Sequence, residues 1–327
     1  MKNSNWIIVA IISGLVAAVL HASVISLTPL SALLFYLTPL PLLMAGLSHG
    51  WPAALLSGAV GALAMSAFGG AKTGLFFVAA SAAGPVILSR LALTSRPSQG
   101  PGSEGEVTAQ GLQWYPEGRL VLWAAVMAGG LLTLVILALG PDAKSFQATL
   151  SEAAAGIPQS LGAGMPAEQQ AELTRWVDFI VKLAPAAAAA AWLAAMTINL
   201  LMASRLLIRL RVSPRPWAAF SSLMFPRRAL LALAGACAAS FMPGTAGLIA
   251  MVFAAPLLTA FAILGLSVVH HLLNGHSARM PILAGLYTTL ILLSWVLALP
   301  LVVLGIAELG FGVRARFRPL PPIKPNT

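Results

Sequence analysis

The chain has 327 residues, of which 59% are hydrophobic and only 9% are charged, and its mean hydropathy is +0.89. A soluble domain carries about 25% charged residues, so this composition excludes an ordinary soluble protein and indicates an integral membrane protein. The net charge of +10 comes from arginines at the ends of apolar runs, not from a basic face interleaved with aromatic residues, which argues against nucleic-acid binding.

The apolar runs predict an all-α protein, a polytopic transmembrane helix bundle with about eight full spans plus a C-terminal hairpin or bent span. Most runs are close to the roughly 20 residues that a helix needs to cross the hydrocarbon core. The first run, residues 6–27, is longer than the apolar region of a signal peptide, so we expect an uncleaved first span.

A ladder of small residues lies on the first predicted span and repeats every four positions: Ala10, Gly14, Ala18 and Ala22. Steps of four bring these residues onto one helix face, where a second backbone can approach closely. The ladder therefore predicts either internal helix packing or a docking face for a separate partner subunit.

The second predicted span, residues 31–47, is interrupted by Pro39 and Pro41. A proline in mid-span leaves backbone carbonyls unpaired, which a membrane protein tolerates only where neighbouring groups or a cavity satisfy them. We therefore expect a bent helix that packs against its neighbours or borders an internal site.

Charge and composition divide the chain into a front four-span bundle (1–93), a flexible cytoplasmic loop (94–118) and a back helical bundle (119–327). The back bundle contains an exterior amphipathic segment (142–182) and a loop with six arginines and no acid (204–228). Short arginine-rich loops stay in the cytoplasm. The prediction is a multi-pass protein of the bacterial inner membrane with both termini cytoplasmic.

Two parts of the back bundle carry further predictions. Leu173, Trp176 and Ile180 recur at helical spacing in the exterior segment, which predicts an amphipathic helix at the outer interface or a lid over a cavity. The basic C-terminal cluster, if cytoplasmic, requires the last apolar stretch to turn back near Pro300.

Polar residues inside the spans are few, and Asn199, near Trp192, is the best candidate for lining a site. With Tyr36 these residues form the predicted binding set, although an asparagine that bonds to another helix and a tyrosine used in packing are the simpler readings. Glu308 is expected to pair with Arg314 or Arg316, or else to couple to a proton or cation.

Catalytic chemistry finds no support in the sequence, which lacks the HExxH, GxSxG, GxxxxGK[ST] and GxGxxG motifs. His270 and His271 are adjacent and point about 100° apart on a helix, so they cannot both ligate one ion, and with His276 they have no cysteine or acid beside them. We expect no catalytic residue, no metal and no cofactor, and a protein that is not an enzyme.

Four stretches resemble the YybS-like family of bacterial integral membrane proteins, in order and over nearly the whole chain. They are TPLPLLMAGLSHGWPAALLSG (38–58), LRVSPRPWAAFSSLMFPRRALLALA (210–234), PLLTAFAILGLSVVHHLL (256–273) and LGIAELGFGVRARF (304–317).

That family is distantly similar to the substrate-binding components of energy-coupling-factor transporters. The resemblance implies that an AxxxA motif on the first helix meets a coupling subunit and that a vitamin binds near the outer face. Ala18 and Ala22 match the motif, and Ala10 and Gly14 extend it. This chain departs from those components in having more than six spans and an arginine-rich loop.

Three functions are open at this level. The first is a non-enzymatic inner-membrane protein that binds or transports a small solute. The alternative is a membrane scaffold that recruits partners through its arginine-rich cytoplasmic loop. The third, an intramembrane enzyme acting on lipid, has only Glu308, Asn199 and the histidines to serve it.

Overall fold

The computed structural model describes residues 5–26, 28–97 and 111–317, and 82% of these residues are helical. The predicted all-α, polytopic architecture is confirmed. The central part of the predicted flexible loop, residues 98–110, and the basic residue Arg318 lie outside the described residues.

The front part contains six α-helices: α1 (Asn5–Ala22), α2 (Pro29–Tyr36), α3 (Pro39–His49), α4 (Trp51–Gly69), α5 (Ala71–Phe77) and α6 (Ala83–Ala92). A 3-10 turn, Ser23–Ser26, follows α1, and one π-helical turn, Val78–Ala82, joins α5 to α6. A short antiparallel pair, β1 (Ser95–Pro97) and β2 (Leu112–Trp114), connects the front part to the back part.

The back part begins with α7 (Glu117–Leu139), α8 (Ala143–Ala154), α9 (Gly156–Leu161) and the long α10 (Ala167–Arg209). After a 3-10 turn at Phe220–Ser222 it continues with α11 (Arg228–Ala239), α12 (Gly244–Leu272), α13 (Arg279–Leu292), α14 (Ser294–Phe311) and α15 (Val313–Arg316).

Seven segments of the described chain are long and apolar enough to cross a membrane. They are Asn5–Ser26, Pro29–His49, Trp51–Gly69, Ala71–Ala92, Glu117–Leu139, Ala167–Arg209 and Gly244–Leu272. Three shorter apolar helices, Arg228–Ala239, Arg279–Leu292 and Ala298–Phe311, complete the bundle. The 12 residues of α11 extend about 18 Å, which is short for a membrane span.

The basic segments meet at one end of the bundle, called the basic end below. Arg215 of the arginine-rich loop bonds to backbone oxygens of Ala92 and Tyr115, and Arg314 bonds to Leu223 in the same loop. Both of the segments that follow α6 and α14 therefore contact residues 210–226. The opposite end holds the start of α8, where the Ala143 amide donates to the Thr245 hydroxyl.

The small-residue ladder on α1 packs inside the molecule. Ala10, Gly14 and Ala18 are buried, Ala22 is half-buried, and the ladder faces α3 and α4. A side chain at Gly14 would collide with the backbone oxygen of Ser57 on α4. This face is occupied by the protein's own helices, and the opposite face of α1 carries the exposed side chains.

The amphipathic segment is not a separate interfacial helix, which corrects the prediction for residues 173–182. It is the first half of α10, a single helix of 43 residues and about 65 Å that passes through Pro185 without a break. The proline removes one backbone hydrogen bond, but the alanines that follow it favour a helix strongly, so the helix continues. Trp176 and Ile180 are exposed on this extension.

The last apolar stretch does turn back, but at Leu293 and not near Pro300. Leu293 leaves the helical region with φ −133° and ψ 47°, and Pro300 lies inside α14. A proline six residues after a helix start still breaks one hydrogen bond, and α14 compensates by packing closely on α12, where Gly305 meets the Phe261 backbone. α14 then ends at the basic end.

We expect that Gly14→Ala lowers the free energy of unfolding by about 2 kcal/mol, because the added Cβ would overpack the α1–α4 contact. It would also lie 2.8 Å from the Cβ of Val60. Thermal unfolding in detergent measures the effect. Gly130→Ala on α7 is the matched control, since a Cβ there would have no neighbour within 4 Å, and it should leave stability unchanged or raise it. Equal effects of the two changes would contradict this packing.

Candidate functional site

α10 is the element that joins the two parts of the molecule. It packs against α3 of the front part and against α7 and α12 of the back part. Two polar side chains on it, Trp192 and Asn199, lie seven positions apart and therefore on one face of the helix. That face meets the front part at two places where a front helix is irregular.

The first irregularity is the break between α2 and α3 at Leu37 and Thr38. Pro39 and Pro41 have no N–H, so the carbonyls of Phe35 and Leu37 lose their helical partners. They accept instead from Thr38 N at 3.1 Å and from Leu40 N at 3.0 Å. In a regular α-helix the Leu40 N–H would donate to the carbonyl of Tyr36. Because it donates to Leu37 O instead, the Tyr36 carbonyl is left without its helical donor.

Asn199 supplies that donor. Its Nδ2 atom donates to the backbone oxygen of Tyr36 at 2.7 Å and to that of Ala195 at 2.7 Å. The contact lies about 10 Å from Pro29, roughly a third of the way along the apolar segment Pro29–His49, so it is inside a candidate membrane span. The asparagine thus makes the interhelical bond that mid-span asparagines usually make, and it makes it to a carbonyl that the prolines released.

The second irregularity is the π-helical turn Val78–Ala82, which is one residue wider than an α-helical turn. Trp192 donates from Nε1 to the backbone oxygen of Ala80 inside this turn at 2.7 Å. The indole and the terminal methyl of Met196 also pack against Gly84 at the start of α6. α10 is therefore hydrogen-bonded to the front part at both of its irregular helices.

Unpaired polar atoms remain at the proline break. The Oγ1 atom of Thr38 and the Oδ1 atom of Asn199 are buried and have no hydrogen-bond partner among the described residues. Thr38 is 0% exposed and Asn199 is 1% exposed. A buried polar atom without a partner costs about 1–3 kcal/mol, so these two atoms destabilise the junction.

The structure brings together two of the three residues of the predicted binding set on one face, and the third only through its backbone. The Tyr36 side chain is 43% exposed and stacks edge-on against Phe35 at 5.7 Å, while its carbonyl makes the contact with Asn199. Sequence reasoning missed Thr38, although a threonine directly before a Pro-Leu-Pro triplet marks the place where a helix must be interrupted.

A second buried polar pair escaped sequence reasoning. His21 of α1 lies within hydrogen-bond distance of Ser81 in the π-helical turn, with 3.0 Å between Nδ1 and Oγ. The rings of Phe35, Phe76 and Phe77 surround the imidazole at centroid distances of 5.0 to 5.7 Å. The pair joins α1 to the same irregular turn that Trp192 contacts, and no periodicity in the sequence could have indicated it.

Arg215 is a structural centre of the basic end and is only 4% exposed. Its Nη1 atom donates to Ala92 O at 2.8 Å and Tyr115 O at 3.1 Å, and its Nη2 atom lies 3.4 Å from Oε1 of Glu117. The guanidinium also lies 4.3 Å from the ring of Trp217. This single arginine joins the end of α6, the start of α7 and the arginine-rich loop.

Arg314 has the same structural role for the segment that follows α14, which it joins to other parts of the basic end. Its backbone N–H donates to Oε2 of Glu308 at 3.0 Å, and its Nε atom lies 3.7 Å from Oε1, so the predicted pairing of Glu308 is confirmed. Its guanidinium also donates to Leu223 O at 3.0 Å and to the Ser267 hydroxyl at 2.6 Å. Burial lowers the pKa of the Arg314 guanidinium, and the neighbouring carboxylate opposes that change.

The three histidines near the end of α12 do not converge. The Nε2 atom of His270 lies 2.8 Å from the Tyr287 hydroxyl on α13, and the Nδ1 atom of His276 accepts from Ala278 N at 3.1 Å. Among the described residues no group of three histidine, cysteine, aspartate or glutamate side chains is arranged to hold a metal ion.

Large cavities lie at the ends of the bundle. One of about 590 Å³ opens at the basic end between the start of α7 and residues 218–226, beside Glu117 and Arg215. A second of about 1290 Å³ opens at the same end between α1, α3 and the end of α10. A third of about 490 Å³ lies between α8, α9 and the exposed extension of α10. None of these three is lined by Asn199, Trp192 or Tyr36.

Comparison with protein families shows to which family the chain belongs. The model of a family of predicted membrane proteins, DUF2232, matches residues 15–309. The chain belongs to this family. The match covers most of the sequence, from α1 to α14, and agrees with the membrane-spanning helices seen in the structure. No curated protein and no solved structure matches the chain.

We expect that Arg215→Gln lowers the free energy of unfolding by about 2–3 kcal/mol, because the carbonyls of Ala92 and Tyr115 lose a buried charged donor and the half-buried Glu117 loses its cation. Thermal unfolding in detergent measures the loss. Arg209→Gln is the matched control, since Arg209 is exposed on the last turn of α10 and its removal should change stability by less than about 0.5 kcal/mol. A tolerated Arg215→Gln would show that this arginine is a surface charge.

Proposed function

We propose that this member of the DUF2232 family is a non-enzymatic membrane protein that binds a small solute, and in its assembled form moves it, at the junction between the front bundle and α10. One observation carries the proposal: a helix is broken inside a candidate membrane span, and buried polar atoms at the break lack partners among the described residues. Broken helices inside a membrane occur where they are buried in protein or line a cavity, and in transporters they form the substrate site.

The polar atoms at the junction suggest the chemistry of the solute. The Thr38 hydroxyl can donate or accept one hydrogen bond, and Oδ1 of Asn199 can accept one. No charged side chain takes part in these contacts. The solute we expect is therefore neutral at this position and presents an N–H or O–H group to the asparagine.

A coupling subunit, if one assembles with this protein as the resemblance to energy-coupling-factor components implies, would need a different face from the small-residue ladder. The ladder is covered by α3 and α4, whereas Ile8, Ile12 and Val19 on the other face of α1 are 57%, 56% and 72% exposed. We propose that lipid or a partner subunit covers this apolar face.

A membrane scaffold is the second candidate, and the exposed arginines of the loop favour it. Arg227 and Arg228 are exposed at the start of α11 and could bind an acidic protein segment. Arg215 is excluded from that role because it is buried. The scaffold requires the basic end to face the cytoplasm. This is also the orientation that we propose, for a protein of the bacterial inner membrane with both termini in the cytoplasm.

Thr38→Val tests the solute site. Valine keeps the shape of threonine and removes the unpartnered hydroxyl, so stability should be unchanged or higher. Loss of one hydrogen bond to the solute should lower its retention about five-fold, measured by mass spectrometry of small molecules that copurify with the protein. Thr133→Val is the matched control, because the hydroxyl of Thr133 already donates to Gly129 O at 2.8 Å. Equal retention in the two variants, or no retained molecule in the unaltered protein, would end the proposal.

Single cysteines test the orientation. In a chain carrying Cys237→Ala, a cysteine at exposed Arg228 should resist a membrane-impermeant maleimide added to intact cells, and a cysteine at exposed Lys72, at the opposite end, should react. Both should react after the cells are opened. The reverse pattern would invert the orientation and would remove the scaffold candidate as well.

A further inference from the structure

The cleft of about 1290 Å³ at the basic end is distinct from the proposed solute site, and its lining is amphipathic. Val9, Met44 and Leu207 form an apolar wall, and Ser48, His49 and Arg211 lie toward the end of the bundle. On α1 the lining runs from Asn5 to Ser13, which corresponds to a depth of about 12 Å. The cleft thus starts at the bundle end and reaches into the apolar layer.

The mouth of this cleft is basic. No acidic residue lies among the described residues that line it. Arg211 is exposed and lines the mouth. Arg90 does not line the cleft, but it lies one helical turn before the lining residue Leu93, and its guanidinium is 5.6 Å from the ring of Trp51. An anionic group at the mouth would therefore meet the positive charge of Arg211, with Arg90 on a neighbouring segment.

Tryptophans mark the depth of the mouth. Trp6 at the start of α1 and Trp114 at the end of β2 both line the cleft, and both are half-buried. Tryptophan concentrates at the level of lipid headgroups, where its apolar ring and its N–H are both accommodated. The mouth therefore lies at headgroup level and the apolar wall lies at the level of the acyl chains.

The backbone at Arg211 turns away from the axis of α10. Its φ of 57° makes it the one residue other than glycine with a positive φ in the described part of the chain. The Val212 N–H donates to Leu207 O and the Arg211 N–H donates to Ile208 O, both at 3.0 Å, which are the two bonds of a Schellman helix end. This helix end places Arg211 directly after α10 at the cleft mouth, where a helical residue would continue along the helix axis.

We propose that this cleft binds one anionic phospholipid, with its phosphate headgroup at Arg211 and Arg90 and an acyl chain along the wall formed by Val9, Met44 and Leu207. Basic pockets between transmembrane helices at the headgroup level recognise anionic lipids in this way. A zwitterionic lipid would bring no net charge to the mouth, and a soluble phosphate would gain nothing from the apolar wall.

Native mass spectrometry of the full, delipidated chain in mild detergent tests the proposal with dioleoyl phosphatidylglycerol, dioleoyl phosphatidylcholine and inorganic phosphate as probes. The expected result is one bound phosphatidylglycerol per chain, held at least ten times more tightly than phosphatidylcholine and not displaced by millimolar phosphate. Arg211→Gln should weaken phosphatidylglycerol binding about five-fold, which corresponds to the loss of one arginine near a membrane surface.

Arg209→Gln is the matched control, because it removes the same charge at the same end from a residue that does not line the cleft. It should weaken binding less than two-fold. Ser13→Phe, which fills the deep end of the cleft, should also lower phosphatidylglycerol binding while leaving the charge intact. Arg90→Gln provides a second test of the mouth if Arg211→Gln unfolds.

Three results would overturn the proposal: equal affinity for the two lipids, equal loss in the Arg209 and Arg211 variants, or displacement of the lipid by inorganic phosphate. The first means that the protein has no preference for an anionic headgroup. The second means that lipid binding depends only on the total positive charge of the basic end. The third means that the site binds phosphate alone. Thr38→Val should leave lipid binding unchanged, so failure of the solute proposal is distinguishable from failure of this one.

Discussion

The structure depends on one constraint, which is that every backbone polar group inside a membrane needs a partner within the protein. The Pro-Leu-Pro triplet and the π-helical turn both violate regular helical pairing in the front part. α10 repairs the two defects with one side chain each, since Asn199 donates to Tyr36 O and Trp192 donates to Ala80 O. α10 therefore supplies the hydrogen bonds that allow the front helices to be irregular. Loss of either donor would leave a backbone carbonyl without its partner.

The basic end shows that arginines act there in two different ways. Arg215 and Arg314 are buried, and each donates to backbone oxygens of segments distant in the chain. Exposed Arg209 and Arg228 have no such bond within the described part of the chain, and their charges are available as orientation signals or for contact with anionic groups. A count of positive charges predicts on which side of the membrane a loop lies. It does not predict which arginine bonds the loop to the rest of the protein, because burial decides which arginines do so.

The proposed solute site and the proposed lipid cleft are both next to the same helix break. Pro41, two residues after Pro39, lines the lipid cleft, whereas Asn199 bonds to the carbonyl of Tyr36 just before the break. A lipid in the cleft would therefore rest against α3 close to the point where that helix is least regular. This arrangement offers a physical route by which lipid occupancy could change the junction with α10, since both act on the same short segment.

The sequence alone determined the all-α bundle, because long apolar runs can cross a membrane only as helices, and it determined the helix interruption at Pro39, because proline has no N–H to donate. It also indicated that Asn199 would meet another helix and that Glu308 would find a basic partner nearby. Only the tertiary structure decided which groups they meet, that α10 continues through Pro185, and that the last turn lies at Leu293. Local signals are weak at these places, since a proline costs one hydrogen bond that packing against neighbouring helices readily offsets. The burial of Arg215, the pairing of His21 with Ser81 and the cleft beside Arg211 depend on segments up to about 200 residues apart, and no pattern within one segment contains that information.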